Sequence, residues 1–188
     1  MTPTAPPAAP PVVLVLASGR GERFRASGGR VHKLQALLAG KPVLQHTLDA
    51  VRASGLAWHL EDVGHPGMGD SIAAAVRATQ GAGGWLVLPG DLPLIEPAAL
   101  RRVAAALAQA AVVLPQHGGV RGHPVGFSAG CRDELLALAG EAGAAAIVQA
   151  RKRAGQVLDL VLDGPGCVTD IDTVDDLARA ERRLSPPA

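Results

Sequence analysis

Three short apolar runs constrain this chain more than any other feature: Val12-Val-Leu-Val-Leu16, Trp85-Leu-Val-Leu88 and Val112-Val-Leu114. None of them alternates with polar residues, and the first two meet Ser-Gly or Pro-Gly shortly after they end. A strand reads as a continuous apolar run when both of its faces are buried, as in a parallel sheet covered by helices on each side. The segments between the runs supply those helices. Leu44, Leu48 and Val51 repeat at helical spacing within 44–53, which stops at Ser54-Gly55. Further helices are expected over 71–79, 97–110, 132–139, 143–151 and 173–184. Asp70 or Ser71 is the expected N-cap of the 71–79 helix, and Pro97 suits a first helical turn. Additional strands are expected at 57–63, 125–128 and 157–162. Strands alternating with helices define an α/β layered fold with a mostly parallel sheet.

The composition narrows the function classes. The 188 residues suit one domain, read over 12–188, and 48% are hydrophobic but only 2% aromatic. With no Tyr, two Phe and two Trp, the core must be filled mainly by Ala, Val and Leu, so backbones approach closely. A net charge of +1 removes the broad attraction of a nucleic-acid binder, and the shortage of aromatics removes stacking platforms for single strands. Cys131 and Cys167 make neither a disulfide framework nor a zinc knuckle, and read as free thiols in a reducing compartment. Residues 1–11 are Pro/Ala-rich without a basic segment and read as a disordered tail. The apolar run at 12–17 is far shorter than the roughly 20 residues of a membrane span. A cytoplasmic protein without a membrane partner is expected.

Ligands of open α/β sheets bind where strands end at their carboxyl side. Directly after the first run comes Ala17-Ser-Gly19-Arg20-Gly21-Glu-Arg23-Phe24. Two glycines allow a tight turn that aims several N–H groups at one point, and a following helix adds its positive end, so the loop suits a phosphate. Arg20, Arg23 and Lys33 bring positive charge nearby, and Lys33 is one of only three lysines among eighteen Lys and Arg. A bare Gly-x-Gly is also common in ordinary strand-to-helix turns. A dinucleotide fingerprint is excluded by the missing third Gly and ribose-binding acid, and a Walker loop by the missing Gly-Lys-Ser/Thr. After the second run, Gly90-Asp91-Leu-Pro93 holds a carboxylate on a stiff turn, suited to Mg²⁺. Near the end, Asp170-Ile-Asp172 places two carboxylates on one face of an extended segment, while Thr173, Asp175 and Asp176 suit a helix start.

These three sites, in this order, resemble those of the MobA/MocA-like nucleotidyltransferases. The matches are residues 16–24 with Lys33, Gly90-Asp91-Leu92-Pro93, and Asp170-Ile-Asp172-Thr173-Val-Asp175-Asp176. Gly67-Met68-Gly69-Asp70-Ser71 and Arg121-Gly122-His123-Pro124-Val125 resemble motifs of the molybdenum cofactor cytidylyltransferase branch. The resemblance spans about 12–184 and implies a three-layer Rossmann-like nucleotidyltransferase domain. Two departures stand out. Nine residues separate Arg23 from Lys33, and the span between Gly55 and Gly67 leaves room for a single strand, so one strand–helix unit is expected to be missing.

By this resemblance, Ala17, Ser18, Gly19, Arg20, Gly21 and Lys33 bind the nucleotide together with Gly67, Met68, Gly69 and Ser71. Arg23, Lys33 and Asp91 are implied as catalytic, with Mg²⁺ on Asp91, Asp172 and Asp170. Arg121, Gly122 and His123 are implied on the molybdopterin side. The implied reaction transfers CMP from CTP to molybdopterin cofactor with release of pyrophosphate. The alternatives are a GTP-using or other nucleotidyltransferase, an NAD(P)H-dependent reductase, and a non-catalytic molybdopterin binder or chaperone of a molybdoenzyme.

Overall fold

The computed structural model describes residues 9–184. The tail expected over 1–11 lies outside those residues except for 9–11, where the Pro10 carbonyl accepts a hydrogen bond from the Gly83 amide. The chain runs β1 (Val12–Leu16), α1 (Glu22–Ala26), a small hairpin of β2 (Leu37–Leu38) and β3 (Lys41–Pro42), α2 (Val43–Ser54), β4 (Trp58–Glu61) and α3 (Met68–Ala78). It continues with β5 (Gly84–Pro89), α4 (Pro97–Ala106), β6 (Val112–His117), β7 (Val120–Arg121), β8 (Val125–Ser128) and α5 (Arg132–Leu136). The last elements are α6 (Ala145–Arg153), β9 (Val157–Val161) and α7 (Val174–Leu184).

The main sheet has seven strands in the order β4-β1-β5-β8-β6-β7, with β9 also paired to β6. β1 pairs in parallel with both β4 and β5, and β6 pairs in parallel with β9. β8 enters antiparallel between β5 and β6, and β7 is antiparallel to β6. The sheet is therefore mostly parallel, as its continuous apolar runs predict.

Both faces are buried, and β1 shows why its sequence has no polar alternation. Val13 and Val15 pack with Leu48 and Val51 of α2 and with Leu100 and Val103 of α4. Leu14 and Leu16 enter the opposite core with Ile72 and Val76 of α3, Leu135 of α5 and Ile147 of α6. Helices thus cover each side of the sheet. The scarce large side chains sit where the volume is needed: Trp85 and Phe127 are opposite each other in the β5–β8 register and fully buried. A third, smaller core joins Phe24, Leu34, Leu38 and Val43 to Ile171 and to Ala180 of α7. Two of its members, Phe24 and Leu34, also line the main cleft.

Several element ends differ from the sequence expectation, for local reasons. α3 begins at Met68 with Gly67 as N-cap, because Asp70 instead accepts a hydrogen bond from the Gly140 amide at 2.9 Å. α4 stops at Ala106, where tighter turns replace helix: the Ala108 amide bonds to the Ala105 carbonyl and Gln109 to Ala106. α5 ends at Leu136 rather than near 139, and α6 is displaced by two residues to Ala145–Arg153. β4 is the single strand between α2 and α3, and it forms the sheet edge on that side. Among the described residues, no helix is long and apolar enough to cross a membrane.

Candidate active site

The carboxyl ends of β4, β1 and β5 are adjacent, with Glu61, Leu16 and Pro89 in register. The loop after β1 is pinned to both neighbours: the Ala17 amide donates to the Glu61 carbonyl, and the Gly90 amide donates to the Leu16 carbonyl. Gly21 then turns the chain into α1 with φ of 64°, a left-handed conformation that glycine adopts without strain. A cleft of about 590 Å³ opens above this loop, within the range of small-molecule sites.

The sequence-predicted residues divide clearly. Ser18, Gly19, Arg20, Gly21, Arg23 and Lys33 line the cleft from the loop side. Gly67, Met68 and Ser71 also line it, as do Asp91 and Asp172, which both meet Lys33. Ala17, Gly69 and Asp170 do not line the cleft, and neither do Arg121, Gly122 and His123.

Lys33 is the centre of the charged end. Its Nζ lies 2.5 Å from Asp91 Oδ2 and 3.0 Å from Asp172 Oδ1. Arg23 Nη1 reaches the other Asp172 oxygen at 2.6 Å, although its side chain is 78% exposed. The nine residues between Arg23 and Lys33 do not push the lysine away. They continue α1 and then turn at Gly28, Phe24 among them is buried, and Ser27 Oγ accepts from the Val174 amide. Burial disfavours the Lys33 charge, but the Asp91 and Asp172 carboxylates outweigh it and hold the pKa above its usual 10.5. A raised lysine pKa adds stability that is complete below 10.5 and is lost as pH rises through the higher folded-state value. The urea midpoint is expected to fall across that alkaline window, and to fall less in Lys33→Met.

The two carboxylates are brought together by backbone as well as by charge. The Ile171 amide donates to the Asp91 carbonyl at 2.9 Å, which lays residues 170–172 along the end of β5. Thr173 and Asp176 form the reciprocal cap of α7: Asp176 accepts from the Thr173 amide, and the Thr173 hydroxyl accepts from the Asp176 amide. Asp172 is left free to face the cleft. Asp170 is exposed to solvent on one side, yet partial burial and then the Asp172 and Asp91 carboxylates raise its pKa.

Three residues to which the sequence reading gave no role help to shape the site. His32 Nε2 donates to the Gly19 carbonyl at 2.7 Å, while its Nδ1 accepts from the Leu34 amide at 3.3 Å. It thereby ties the loop after β1 to the turn carrying Lys33. Glu61, buried at the end of β4, accepts from His65 Nε2 at 3.0 Å and anchors that ring in the cleft wall. A His immediately before the conspicuous Lys33, and an acid ending a buried strand, were the available signals.

Other predicted residues contribute through packing. A Cβ on Gly67 would stand 2.1 Å from the Gly140 carbonyl carbon, and one on Gly69 2.6 Å from the Ala142 carbonyl. These glycines let the segment after α5 close directly on the start of α3. Ser71 Oγ lies 2.8 Å from Ser18 Oγ, joining the two walls of the cleft. A Cβ on Gly122 would meet the Cys167 carbonyl at 2.1 Å, so Gly122 allows β7 to approach the segment leading to Asp170. Arg121 is exposed on β7. Burial lowers the His123 pKa, outweighing the nearby charges of Asp91 and Asp170, which act to raise it.

A sequence profile of the family described as MobA-like NTP transferase domain matches residues 49–156. The chain belongs to that family. The matched stretch of this MobA-like domain contains the Gly67–Ser71 segment, Asp91 and the Arg121-Gly-His motif; the Gly19-Arg-Gly21 loop, Lys33 and Asp172 lie outside it. Among curated relatives, the Bifunctional protein GlmU of Kineococcus radiotolerans is 33% identical over 155 residues, covering 69% of this chain and 31% of that protein. The chain thus spans less than a third of the length of that relative. Rv0371c of Mycobacterium tuberculosis H37Rv, solved in complex with manganese, has a TM-score of 0.70 at 24% identity over 94% of this chain and 100% of that one. Molybdopterin-guanine dinucleotide biosynthesis protein A of Archaeoglobus fulgidus has a TM-score of 0.61 at 21% identity over 92% and 97% of the two chains. Both structures share the fold of this MobA-like domain.

The donor set of this MobA-like site suits a hard divalent cation. Asp91 Oδ1 is buried without a hydrogen-bond partner, and Asp172 supplies a second carboxylate across Lys33. Among the described residues, no three His, Cys, Asp or Glu side chains form a metal-holding group by themselves. One or two carboxylates completed by substrate phosphates is the usual protein share of a Mg²⁺ site.

Proposed function

We propose that this chain is a Mg²⁺-dependent nucleotidyltransferase that moves CMP from CTP to the terminal phosphate of molybdopterin cofactor and releases pyrophosphate. The observation that carries the reading is the convergence of Lys33, Asp91 and Asp172 at one end of a cleft walled by the Gly19-Arg-Gly21 loop. The amides around residues 17–21 and the cations Arg20, Arg23 and Lys33 bind the triphosphate. Gly67, Met68, Gly69 and Ser71 receive the ribose and base. Asp91 and Asp172, with Asp170 beside them, would hold Mg²⁺, which stabilises charge on the α-phosphate and on the leaving pyrophosphate. Arg121, Gly122 and His123 are assigned to the acceptor. The Arg-Gly-His-Pro motif and the fold shared with the Archaeoglobus protein support molybdopterin in that role.

An oxygen of the acceptor phosphate attacks the α-phosphorus. A new P–O bond forms as the bond to the β-phosphate bridge breaks, and the electron pair leaves on pyrophosphate. The acceptor is already anionic, so the chemistry needs no deprotonating triad. Rate enhancement comes from in-line positioning and from charge stabilisation by Lys33 and Arg23. The two buried free thiols, Cys131 and Cys167, support a reducing, cytoplasmic setting.

The test is pyrophosphate release from CTP, GTP, ATP and UTP in the presence of Mg²⁺ and molybdopterin. CTP is expected to give the highest kcat/KM. A higher value for GTP reassigns the base. Nucleotide binding without turnover under saturating acceptor points to a binding protein, and loss of nicotinamide absorbance points to a reductase.

A further inference from the structure

We infer that Lys33 occupies the cation position of the resting cleft, and that a divalent ion enters the Asp91–Asp172 pair only by exchanging with its ammonium. The inference rests on the metal reading above, and deepens it. Of the four oxygens on the two carboxylates, Asp91 Oδ1 is buried. Asp91 Oδ2 and Asp172 Oδ1 are held by Lys33 at 2.5 and 3.0 Å, and Asp172 Oδ2 by Arg23 at 2.6 Å. Every carboxylate oxygen that is not buried therefore already carries a cation. A metal ion bonds carboxylate oxygens at about 2.1 Å, closer than the ammonium does now, and the two like charges repel at such separations.

Lys33 is suited to be the cation that leaves. Its ammonium sits on a flexible four-carbon stem. The anion loop is close by: Gly21 packs against the Lys33 side chain, and a Cβ there would lie 3.5 Å from its Cγ. A triphosphate on that loop offers the ammonium a replacement anion. Nucleotide then draws Lys33 off the carboxylates, and metal and nucleotide strengthen each other's binding reciprocally. Metal alone must displace the lysine without that help, so it binds weakly.

The full chain carries only three lysines, Lys33, Lys41 and Lys152, which makes an amine-acylation footprint simple to read by mass spectrometry. Without metal, Lys33 is expected to react far more slowly than exposed Lys152. Saturating Mn²⁺ without nucleotide should raise the Lys33 rate several-fold and leave Lys152 unchanged. In parallel, Mn²⁺ affinity without nucleotide is measured by electron paramagnetic resonance for wild type, Lys33→Met and Arg23→Met. Lys33→Met is expected to bind roughly tenfold more tightly and Arg23→Met to change much less. Unchanged Lys33 acylation with Mn²⁺ bound overturns the exchange, whether or not the variants fold. Equal tightening in both variants also overturns it, because that is a general effect of removing positive charge. If wild type binds no Mn²⁺ even with CTP present, the exchange and the metal reading fail together.

Discussion

Asp91→Ala is expected to fold and to lose about three orders of magnitude or more in metal-dependent pyrophosphate release, since each 1.36 kcal/mol of lost transition-state stabilisation is tenfold. The two halves of this expectation have separate causes. Removing the carboxylate removes an oxygen that has no partner in the fold, Asp91 Oδ1, along with the one that holds Lys33. Lys33 keeps Asp172 at 3.0 Å, so its charge is not left alone. The backbone carbonyl that ties residue 91 to Ile171 is also unaffected. The cost to stability is therefore near that of one hydrogen bond, about 1 kcal/mol. Activity depends instead on the carboxylate charge itself. Asp91→Asn keeps the shape and loses the charge, so it should be nearly as inactive as the alanine variant, with a thermal midpoint close to wild type. Full turnover in either protein would sink the assignment of Asp91 to the metal.

The largest effect on stability is expected at Trp85. It is fully buried, faces Phe127 across the β5–β8 ladder and donates from Nε1 to Thr79 Oγ1 at 3.0 Å. A chain with two Trp and two Phe has few ways to fill a large gap. Trp85→Ala should therefore cost ~3–5 kcal/mol, the range for deleting a large buried aromatic. That is a major fraction of the ~5–15 kcal/mol by which domains are stable. Trp85→Phe retains most of the volume and loses the bond to Thr79, so about 1 kcal/mol is expected. Trp58 serves as the comparison. It is 37% exposed on edge strand β4, with the Arg52 guanidinium 5.4 Å from its ring, and Trp58→Ala should cost about 1 kcal/mol or less. Urea midpoints measured for the three variants give the ranking, and equal losses at Trp85 and Trp58 would contradict this account of the core.

The architecture was legible because burial on two faces leaves a mark on every residue of a strand. Val13 and Val15 serve one core and Leu14 and Leu16 the other, so none of these four positions in β1 suits a polar side chain. The same reasoning located the cleft, since strand ends are where glycine and proline interrupt those runs. It failed where neighbours compete for a local group. Asp70 looks like an N-cap in isolation, but the Gly140 amide, seventy residues away, takes its carboxylate. The single strand between α2 and α3 could be counted from chain length alone, whereas the antiparallel entry of β8 between β5 and β6 could not.

The site itself was half legible. Sequence by itself determined which groups are available: a glycine-containing loop after β1, one conspicuous lysine and acids at the ends of buried segments. Those properties are local, set by backbone freedom at glycine and by the charge of single residues. Only the tertiary structure decided what the residues do to one another. The Lys33 ion pairs join positions 58 and 139 residues apart, and no local pattern encodes such distances. The same holds for His32, which grips the carbonyl of Gly19, and for Gly122, whose missing side chain makes room for Cys167. Burial fixes alternation along a strand one residue at a time. Coulombic pairs and close backbone approaches exist only after the layers have packed.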